Sequence, residues 1–347
     1  MEVDDIDFDM SFMDEALEAS VGTVVEWDEE VNGIDPRLKY LSYSSLKTLH
    51  SCPRKFELEK KTDQLDDLEV TDQNVTFAFG HTVGIGVQSL FEGKALPNVL
   101  MDMFMMWRLD IFAENEKKGK SFWLAIQAIK YLEMQMPFFS EYELVYYMDK
   151  EGNHRPAIEL GSIIACPDGF FFRGYIDVVL RHKLTGEITV IEVKTTGSRE
   201  AKEAEYRNSA QALGYSVVLD SIVPGHSSYQ VIYLVYSSTS QEWEILPFEK
   251  TLVQRARWIQ DILLDIERIK MYHNVGYYPM YGESCFEYFR ECQFYGSCHL
   301  DNKYVTRKLT QKVLDDLDRK RETFDIHLTI HDLIQTQMSR HEELTNG

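Results

Sequence analysis

Two neighbouring stretches decide the fold, Gly174-Tyr175-Ile176-Asp177-Val178-Val179-Leu180 and Ile191-Glu192-Val193-Lys194, with a polar, glycine-containing turn between them. Both are rich in β-branched residues, and the pattern predicts two strands of a hairpin that bring Asp177 beside Glu192. Because alternate residues of a strand share a face, Glu192 and Lys194 should project together while Val193 points into the core. The sequence therefore predicts two carboxylates and an ammonium group at one point.

Such a group is typical of metal-ion chemistry on phosphate esters. Carboxylate oxygens suit Mg²⁺ or Mn²⁺, so Asp177 and Glu192 are predicted ligands, with the backbone carbonyl of Val193 as a further candidate. Lys194 would position or deprotonate the attacking water and stabilise the charge that develops on the phosphate.

The alternative is that Glu192 and Lys194 are ordinary exposed residues of a half-buried strand. Two features favour the site. Asp177 interrupts an otherwise apolar strand, where an unpaired carboxylate is costly. Gln211 and Tyr215, four residues apart on the next predicted helix, place an amide and a phenol on one face.

Helical and strand-like patterns alternate around this hairpin. Helices are expected near residues 41–56, 76–92, 99–136, 199–222, 250–273 and 308–340, and strands near 142–148, 158–165, 170–180, 187–193, 229–237 and 241–248. This order predicts an α/β fold, with a central mixed sheet flanked by helices and helical additions at both termini. We expect a tail at residues 1–36, one domain at 37–300 and a helical extension at 301–347.

The net charge of −21 argues at first against a nucleic-acid partner. However, 13 acidic residues and no basic ones precede Arg37, which leaves 44 acidic against 36 basic residues in the rest of the chain. The acidic N-terminus and the lack of a long apolar run predict an intracellular, cytoplasmic protein that does not enter a membrane. The tail is expected to be mobile; alternatively it mimics DNA or docks a replication or recombination partner.

The motifs together resemble the RecB-like branch of the PD-(D/E)XK nuclease superfamily, which includes CRISPR-associated exonucleases and phage recombination nucleases. Gly174–Asp177 resembles its second motif, Glu192–Lys194 its third, and Gln211 with Tyr215 its Q-x-x-x-Y motif. The stretch from Leu41 to Phe56 is similar to the opening helix of the family. The resemblance implies a restriction-endonuclease-like core and an exonuclease that acts on DNA ends in recombination, repair or phage DNA metabolism. The cytoplasm would be that of a bacterial host if the protein is viral.

The first motif of this family is a G-x-x-x-H helix whose histidine binds metal, and this sequence departs from it. Gly84 is followed by Gln88 in the histidine position, and His81 is the alternative ligand on a neighbouring turn. A polar residue without metal contact is equally consistent with either position. The departure keeps a second hypothesis open, a catalytically degenerate adaptor that binds DNA or protein.

The cysteines also follow the family in part. Iron-sulfur members hold a [4Fe-4S] cluster with one cysteine from the opening helix and three near the C-terminus, which match Cys52, Cys285, Cys292 and Cys298 here. Phe289 stands where the family has a further cysteine, so Cys285 would replace it. A zinc site and simple burial are the alternatives, and Cys166 is expected in the core.

The expected DNA contacts are Gln211 and Tyr215, from the motif, and the basic pair Arg54 and Lys55, which stands beside an aromatic residue.

Overall fold

The computed structural model describes residues 24, 25, 27, 32–62, 75–110, 119–201, 203–223, 229–287 and 290–346. Most of the acidic tail, residues 1–23 included, lies outside the described residues, so its mobility and partners stay predictions. The chain divides into two compact units. We call residues 68–266 with 324–347 the sheet unit, and residues 1–67 with 267–323 the cysteine unit.

The helices of the described residues follow the predicted order closely. They are α1 Tyr43–Ser51, α2 Pro53–Thr62, α3 Val75–Phe91, α4 Leu96–Asp110, α5 Phe122–Gln135, α6 Glu203–Arg207, α7 Ala210–Ile222, α8 Leu252–Val275, α9 Asn302–Val305, α10 Gln311–Glu322 and α11 Ile330–Asn346. No helix in this part of the chain combines the length and the apolar character needed to cross a membrane.

The strands are short except in the middle of the chain. They are β1 Tyr40–Ser42, β2 Tyr142–Leu144, β3 Tyr146–Met148, β4 His154–Pro156, β5 Ile158–Ala165, β6 Phe171–His182, β7 Ile188–Thr196, β8 Tyr229–Ser237, β9 Glu242–Lys250, β10 Phe286–Glu287, β11 Arg290–Glu291 and β12 Ile326–Thr329.

The sheet unit is built on strands in the order β12-β5-β6-β7-β8-β9, with β2 also paired to β6. The pairs β12 with β5 and β7 with β8 are parallel, and the remaining neighbours are antiparallel. The mixed sheet is therefore confirmed. The β6–β7 hairpin, which was predicted from the opening stretch, turns through Gly186 at a φ of 72°, a value that favours glycine.

Helices cover both faces of this sheet. Alternate residues of β8, Ile232 and Leu234, join the apolar core formed by α3, α4 and α5. On the other face, the Tyr229 hydroxyl donates to Asp220 of α7 at 2.7 Å, and the Arg255 guanidinium of α8 lies 4.7 Å from the Tyr229 ring centre. Because successive strand residues point to opposite faces, the sheet lies between two helical layers, as expected of a flanked sheet.

One element was predicted wrongly. Residues 308–340 were expected to form one helix or a helix pair, but the two helices, α10 and α11, are separated by the strand β12 at Ile326–Thr329, which pairs in parallel with β5. A strand of four residues between two long helical patterns carries little local signal, and its partner Ser162 lies more than 160 positions earlier. The proposed extension at 301–347 also divides between the two units after Thr323.

The cysteine unit contains buried cations that bind backbone carbonyls. Arg37 donates to the carbonyls of Lys61 at 2.9 Å and Arg307 at 3.0 Å, while its other nitrogens bind Asp35. The N-terminus of α1 has a capping box formed by Ser42 and Ser45. The Arg37 contacts join the end of α2 to Arg307, which lies 270 residues after Arg37 in sequence.

Candidate active site

The backbone ladder between β6 and β7 ends at the predicted catalytic residues. Paired positions run from Arg181 with Ile188 to Val178 with Ile191, so Asp177 and Glu192 are the next pair. There the Asp177 carboxylate accepts the Val193 backbone N–H at 2.8 Å, in place of a carbonyl of the opposite strand. This hydrogen bond fixes the carboxylate at the point where the two strands separate.

Glu192 and Lys194 project to the same side, as strand alternation predicts. The Lys194 ammonium donates to Glu192 Oε1 at 2.5 Å and to Gln211 Oε1 at 3.2 Å. The Gln211 amide in turn donates to the Tyr215 hydroxyl. The structure thus brings together the five residues that the sequence placed in one constellation.

The electrostatics of the site are dominated by the buried carboxylate of Glu192 and the half-buried carboxylate of Asp177. Burial raises the pKa of Asp177 well above its usual value, and the charge of Glu192 adds to the effect while Lys194 opposes it. Burial acts to lower the pKa of Lys194, but the attraction of Glu192 and their hydrogen bond outweigh it, so that pKa is raised. Burial, and then the charges of Glu192 and Asp177, also raise the pKa of Tyr215. An added divalent cation would relieve the repulsion between the carboxylates.

The oxygens fit such a cation. Glu192 is 2% exposed, and its Oε2 atom is buried without a hydrogen-bond partner among the described residues. A buried anionic oxygen of this kind is costly unless something pairs with it. Within the described part of the chain, no three or more His, Cys, Asp or Glu side chains form a ready metal-binding group. A bound ion would therefore need ligands of other kinds, such as carbonyl oxygens, amides and water.

Glu159 is a site residue that sequence reasoning missed. The register of β5 with β6, Ile158 with Val178 and Leu160 with Ile176, places Glu159 opposite Asp177, and its charge contributes to the raised pKa of Asp177. Its φ of 48° is rare outside glycine and marks a strained backbone. The sequence did contain a signal for this role, because Glu159 is an acidic residue inside an otherwise apolar strand.

Gln88 contacts this added carboxylate. Its side-chain amide donates to Glu159 Oε1 at 2.5 Å. Gln88 is buried on α3, whereas His81, two turns earlier, is exposed. A role for Gln88 or His81 as a metal ligand stays a prediction. The contact with Glu159 places Gln88 beside the carboxylates of the site.

The predicted cysteines lie in the cysteine unit. Burial raises the pKa of the Cys298 thiol, and electrostatic interaction with Cys285, Cys292 and Cys52 raises it further. Among the described residues, however, these thiols do not form a group arranged to hold a metal ion. All are free thiols. Cys166 belongs to the sheet unit, where burial raises its pKa to about 12, as expected of an unreactive thiol.

Arg54 is placed differently from the prediction. It is buried, and its guanidinium donates to the carbonyls of Cys298 at 2.9 Å and Leu300 at 2.8 Å, to Glu57 at 2.6 Å and to Asn302. These contacts occupy the guanidinium, so Arg54 fixes the loop that carries Cys298 and is not exposed for DNA. Lys55 remains partly exposed, with a long 3.9 Å contact to Glu59.

Comparison with known proteins identifies a family for this chain. The family model described as the PD-(D/E)XK nuclease superfamily matches residues 40–299. No curated protein matches the chain. Among solved structures, that of SSO0001 is 13% identical over 65% of this chain and 76% of its own, with a TM-score of 0.28. A similarity at that level supports no inference about function.

Proposed function

The chain belongs to the PD-(D/E)XK nuclease superfamily, and we propose that it is a Mg²⁺- or Mn²⁺-dependent deoxyribonuclease that hydrolyses DNA from its ends. The observation that carries the proposal is the unpartnered, buried Oε2 atom of Glu192 beside Asp177 and the Lys194 ammonium. Family membership implies a nuclease; the metal, the DNA substrate and the direction of attack are the proposal.

Asp177 and Glu192 would hold the cation, with the Val193 carbonyl and the Gln88 amide oxygen as further candidate ligands. When bound, Mg²⁺ or Mn²⁺ supplies polarisation of the phosphate and a bound water of lowered pKa. The Val193 N–H bond holds Asp177 in place for this role before any ion arrives. The donor set, made only of oxygens, matches the preference of both ions.

Lys194 provides a positive charge at the phosphate. An ammonium group has three N–H donors, and Glu192 and Gln211 use two of them, so one remains for a phosphate oxygen. Such a donor stabilises charge that develops in the transition state. Gln211 orients the ammonium through its oxygen and binds Tyr215 through its nitrogen, which makes α7 the support for Lys194.

Action on ends is supported by the resemblance of the motifs together to the RecB-like branch, in which the Q-x-x-x-Y motif that Gln211 and Tyr215 match contacts DNA. The proposed setting is recombination, repair or phage DNA metabolism. The competing candidate is a degenerate adaptor, which the unusual Gln88 favours.

The test is digestion of end-labelled linear single-stranded, linear double-stranded and circular DNA, with Mg²⁺, with Mn²⁺ and with a chelator. We expect metal-dependent loss of the linear forms and intact circles. Lys194→Ala should lose at least about 100-fold in rate, as expected for one removed transition-state donor. Lys183→Ala, in the exposed turn at the other end of the hairpin, is the matched control. Rapid cutting of circles would refute the end-directed part, and no cutting of any form would favour the adaptor.

We also propose that Cys52, Cys285, Cys292 and Cys298 hold a [4Fe-4S] cluster. The support is the match of these four positions to the cysteines of the iron-sulfur members, together with the electrostatic influence of the other three thiols on Cys298. Arg54 holds the loop of Cys298 through its backbone carbonyl at 2.9 Å. Zinc is the alternative metal for four thiolates. Anaerobic purification with iron, sulfide and zinc analysis separates the cases, and Cys166→Ser is a matched control for Cys292→Ser. A colourless, iron-free and active protein would contradict the cluster.

A further inference from the structure

The segment that follows Lys194 is held by a row of hydroxyl groups. The last residue of β8 and the turn after it read Ser237-Ser238-Thr239-Ser240, and their side chains donate to consecutive carbonyls at the end of β7 and beyond. The bonds are Ser238 Oγ to the Thr196 carbonyl at 3.2 Å, Thr239 Oγ1 to that of Gly197 at 2.7 Å, Ser237 Oγ to that of Ser198 at 2.7 Å and Ser240 Oγ to that of Arg199 at 3.3 Å. We call residues 237–240 the hydroxyl clamp.

The clamp is itself braced. Ser237 Oγ accepts the backbone N–H groups of Thr239 at 3.3 Å and Ser240 at 3.1 Å. At the far end of the held segment, the Ala201 N–H donates to Glu244 at 2.8 Å. Residues 197–200 are exposed, so water could satisfy their carbonyls without any ordered side chain. Holding an exposed segment in one conformation costs conformational entropy. A binding surface that is already ordered loses less entropy when its ligand binds, so the affinity is higher.

The held segment carries an exposed cation that is close in sequence to Lys194. Its carbonyls are turned to the clamp, and Arg199 is exposed five residues after Lys194. In extended chain this places the two Cα atoms at most ~17 Å apart. Arginine binds phosphate through parallel N–H groups, and its value as a contact rises when its backbone is fixed in advance.

We infer that Arg199, held in position by the hydroxyl clamp, binds a phosphate of the DNA strand a few nucleotides away from the one that is cleaved. The inference rests on the proposed function and adds to it a second contact, which sets affinity and register rather than chemistry. Phosphate contacts of this kind position a nucleic acid without reading its sequence. Thr239 is a positioning residue in this scheme because it acts through Arg199.

The test compares Arg199→Ala, Thr239→Val and Thr239→Ser in the full-length chain. Binding of a fluorescent oligonucleotide is followed by anisotropy with chelator present, and cleavage by kcat and KM. Arg199→Ala should raise Kd and KM about tenfold, as for a lost charged hydrogen bond, with kcat within about twofold. Its log Kd against log salt slope should fall by about 0.7 for single strands or 0.9 for duplex.

Thr239→Val should raise Kd about threefold, a value typical of one neutral hydrogen bond, and leave the salt slope unchanged. Thr239→Ser, which keeps the hydroxyl, should restore wild-type binding. Lys183→Ala and Thr185→Val, both in the distant hairpin turn, are matched controls for charge and for hydroxyl loss. Thermal unfolding shows whether each variant is folded, and if Thr239→Val is not, Arg199→Ala decides alone.

The inference is overturned if Arg199→Ala binds DNA as Lys183→Ala does, or if it lowers kcat with KM unchanged. In that case wild-type cleavage persists and the proposed function survives. If the wild-type chain neither binds nor cuts DNA, both fail, so the two failures are distinguishable.

Discussion

Replacement of Asp220 by alanine should destabilise the sheet unit more than any surface substitution. The Asp220 carboxylate accepts Arg255 Nη1 at 2.8 Å and the Tyr229 hydroxyl at 2.7 Å on one oxygen, and the Gln337 amide on the other. The side chains of Arg255 and Asp220 are both 0% exposed. The four residues come from α7, α8, β8 and α11, so one carboxylate ties three helices to the sheet.

The magnitude follows from burial. Removing one partner of a buried pair leaves a desolvated charge and costs about 3–5 kcal/mol. Total stabilities are about 5–15 kcal/mol, so the variant should lose a large fraction of its stability. Urea unfolding followed by circular dichroism gives the change in the free energy of unfolding. The loss should also reduce nuclease activity, because α7 carries Gln211.

Two variants sharpen the test. Asp220→Leu combined with Arg255→Met removes both charges and should recover most of the loss, because an apolar pair can replace a buried ion pair. Glu203→Ala breaks an exposed pair with Arg207, 57% and 62% exposed, and should cost no more than about 0.5 kcal/mol. The reasoning is refuted if Asp220→Ala costs under about 1 kcal/mol, or if the double variant is as unstable as the single one.

Three other predictions concern packing, pH and the added carboxylate. A Cβ at Gly86 would lie 2.6–2.8 Å from Ile129 and Met103, whereas a Cβ at Gly84 would meet nothing within 4 Å. Urea unfolding should therefore show that Gly86→Ala is destabilised by about 1–3 kcal/mol and that Gly84→Ala is stabilised by up to about 1 kcal/mol. Equal changes would contradict the packing argument. Burial lowers the pKa of Lys250 to about 8. Between about pH 8 and 10.5, Lys250 therefore keeps its proton in the unfolded chain and loses it in the folded chain. The free energy of unfolding should rise with pH in that window, by up to about 3 kcal/mol. Lys250→Met should lack the rise, and an identical profile would refute it. Glu159→Gln should raise the Mg²⁺ concentration for half-maximal cleavage because it removes a negative charge near Asp177, whereas Glu151→Gln, in an exposed turn, should not.

Local sequence patterns were sufficient to predict the β6–β7 hairpin and the arrangement of the central site. The alternation of Glu192, Val193 and Lys194 fixes which side chains meet, and the four-residue spacing of Gln211 and Tyr215 does the same on a helix. Those arrangements depend on neighbours in sequence, which is why the sequence predicted them.

The features that were missed depend on contacts between distant residues. Glu159 enters the site only through the register of β5 with β6, and β12 is a strand only because β5 accepts it. Arg54 was predicted to contact DNA because it is a basic residue near an aromatic one. Its actual partners, the carbonyls of Cys298 and Leu300, lie about 245 residues away in sequence and could not be recognised from the local pattern. No local pattern reports such partners.

The most direct test of the nuclease centre is cleavage of labelled linear DNA by wild type and Glu192→Gln over a range of Mn²⁺ concentrations. The substitution preserves the shape of the side chain and removes the charge that the buried, unpartnered oxygen carries. We predict that wild type cuts only with metal and that Glu192→Gln loses at least about 100-fold in rate while staying folded. Equal rates for the two proteins, or cutting by wild type with a chelator present, would contradict the account.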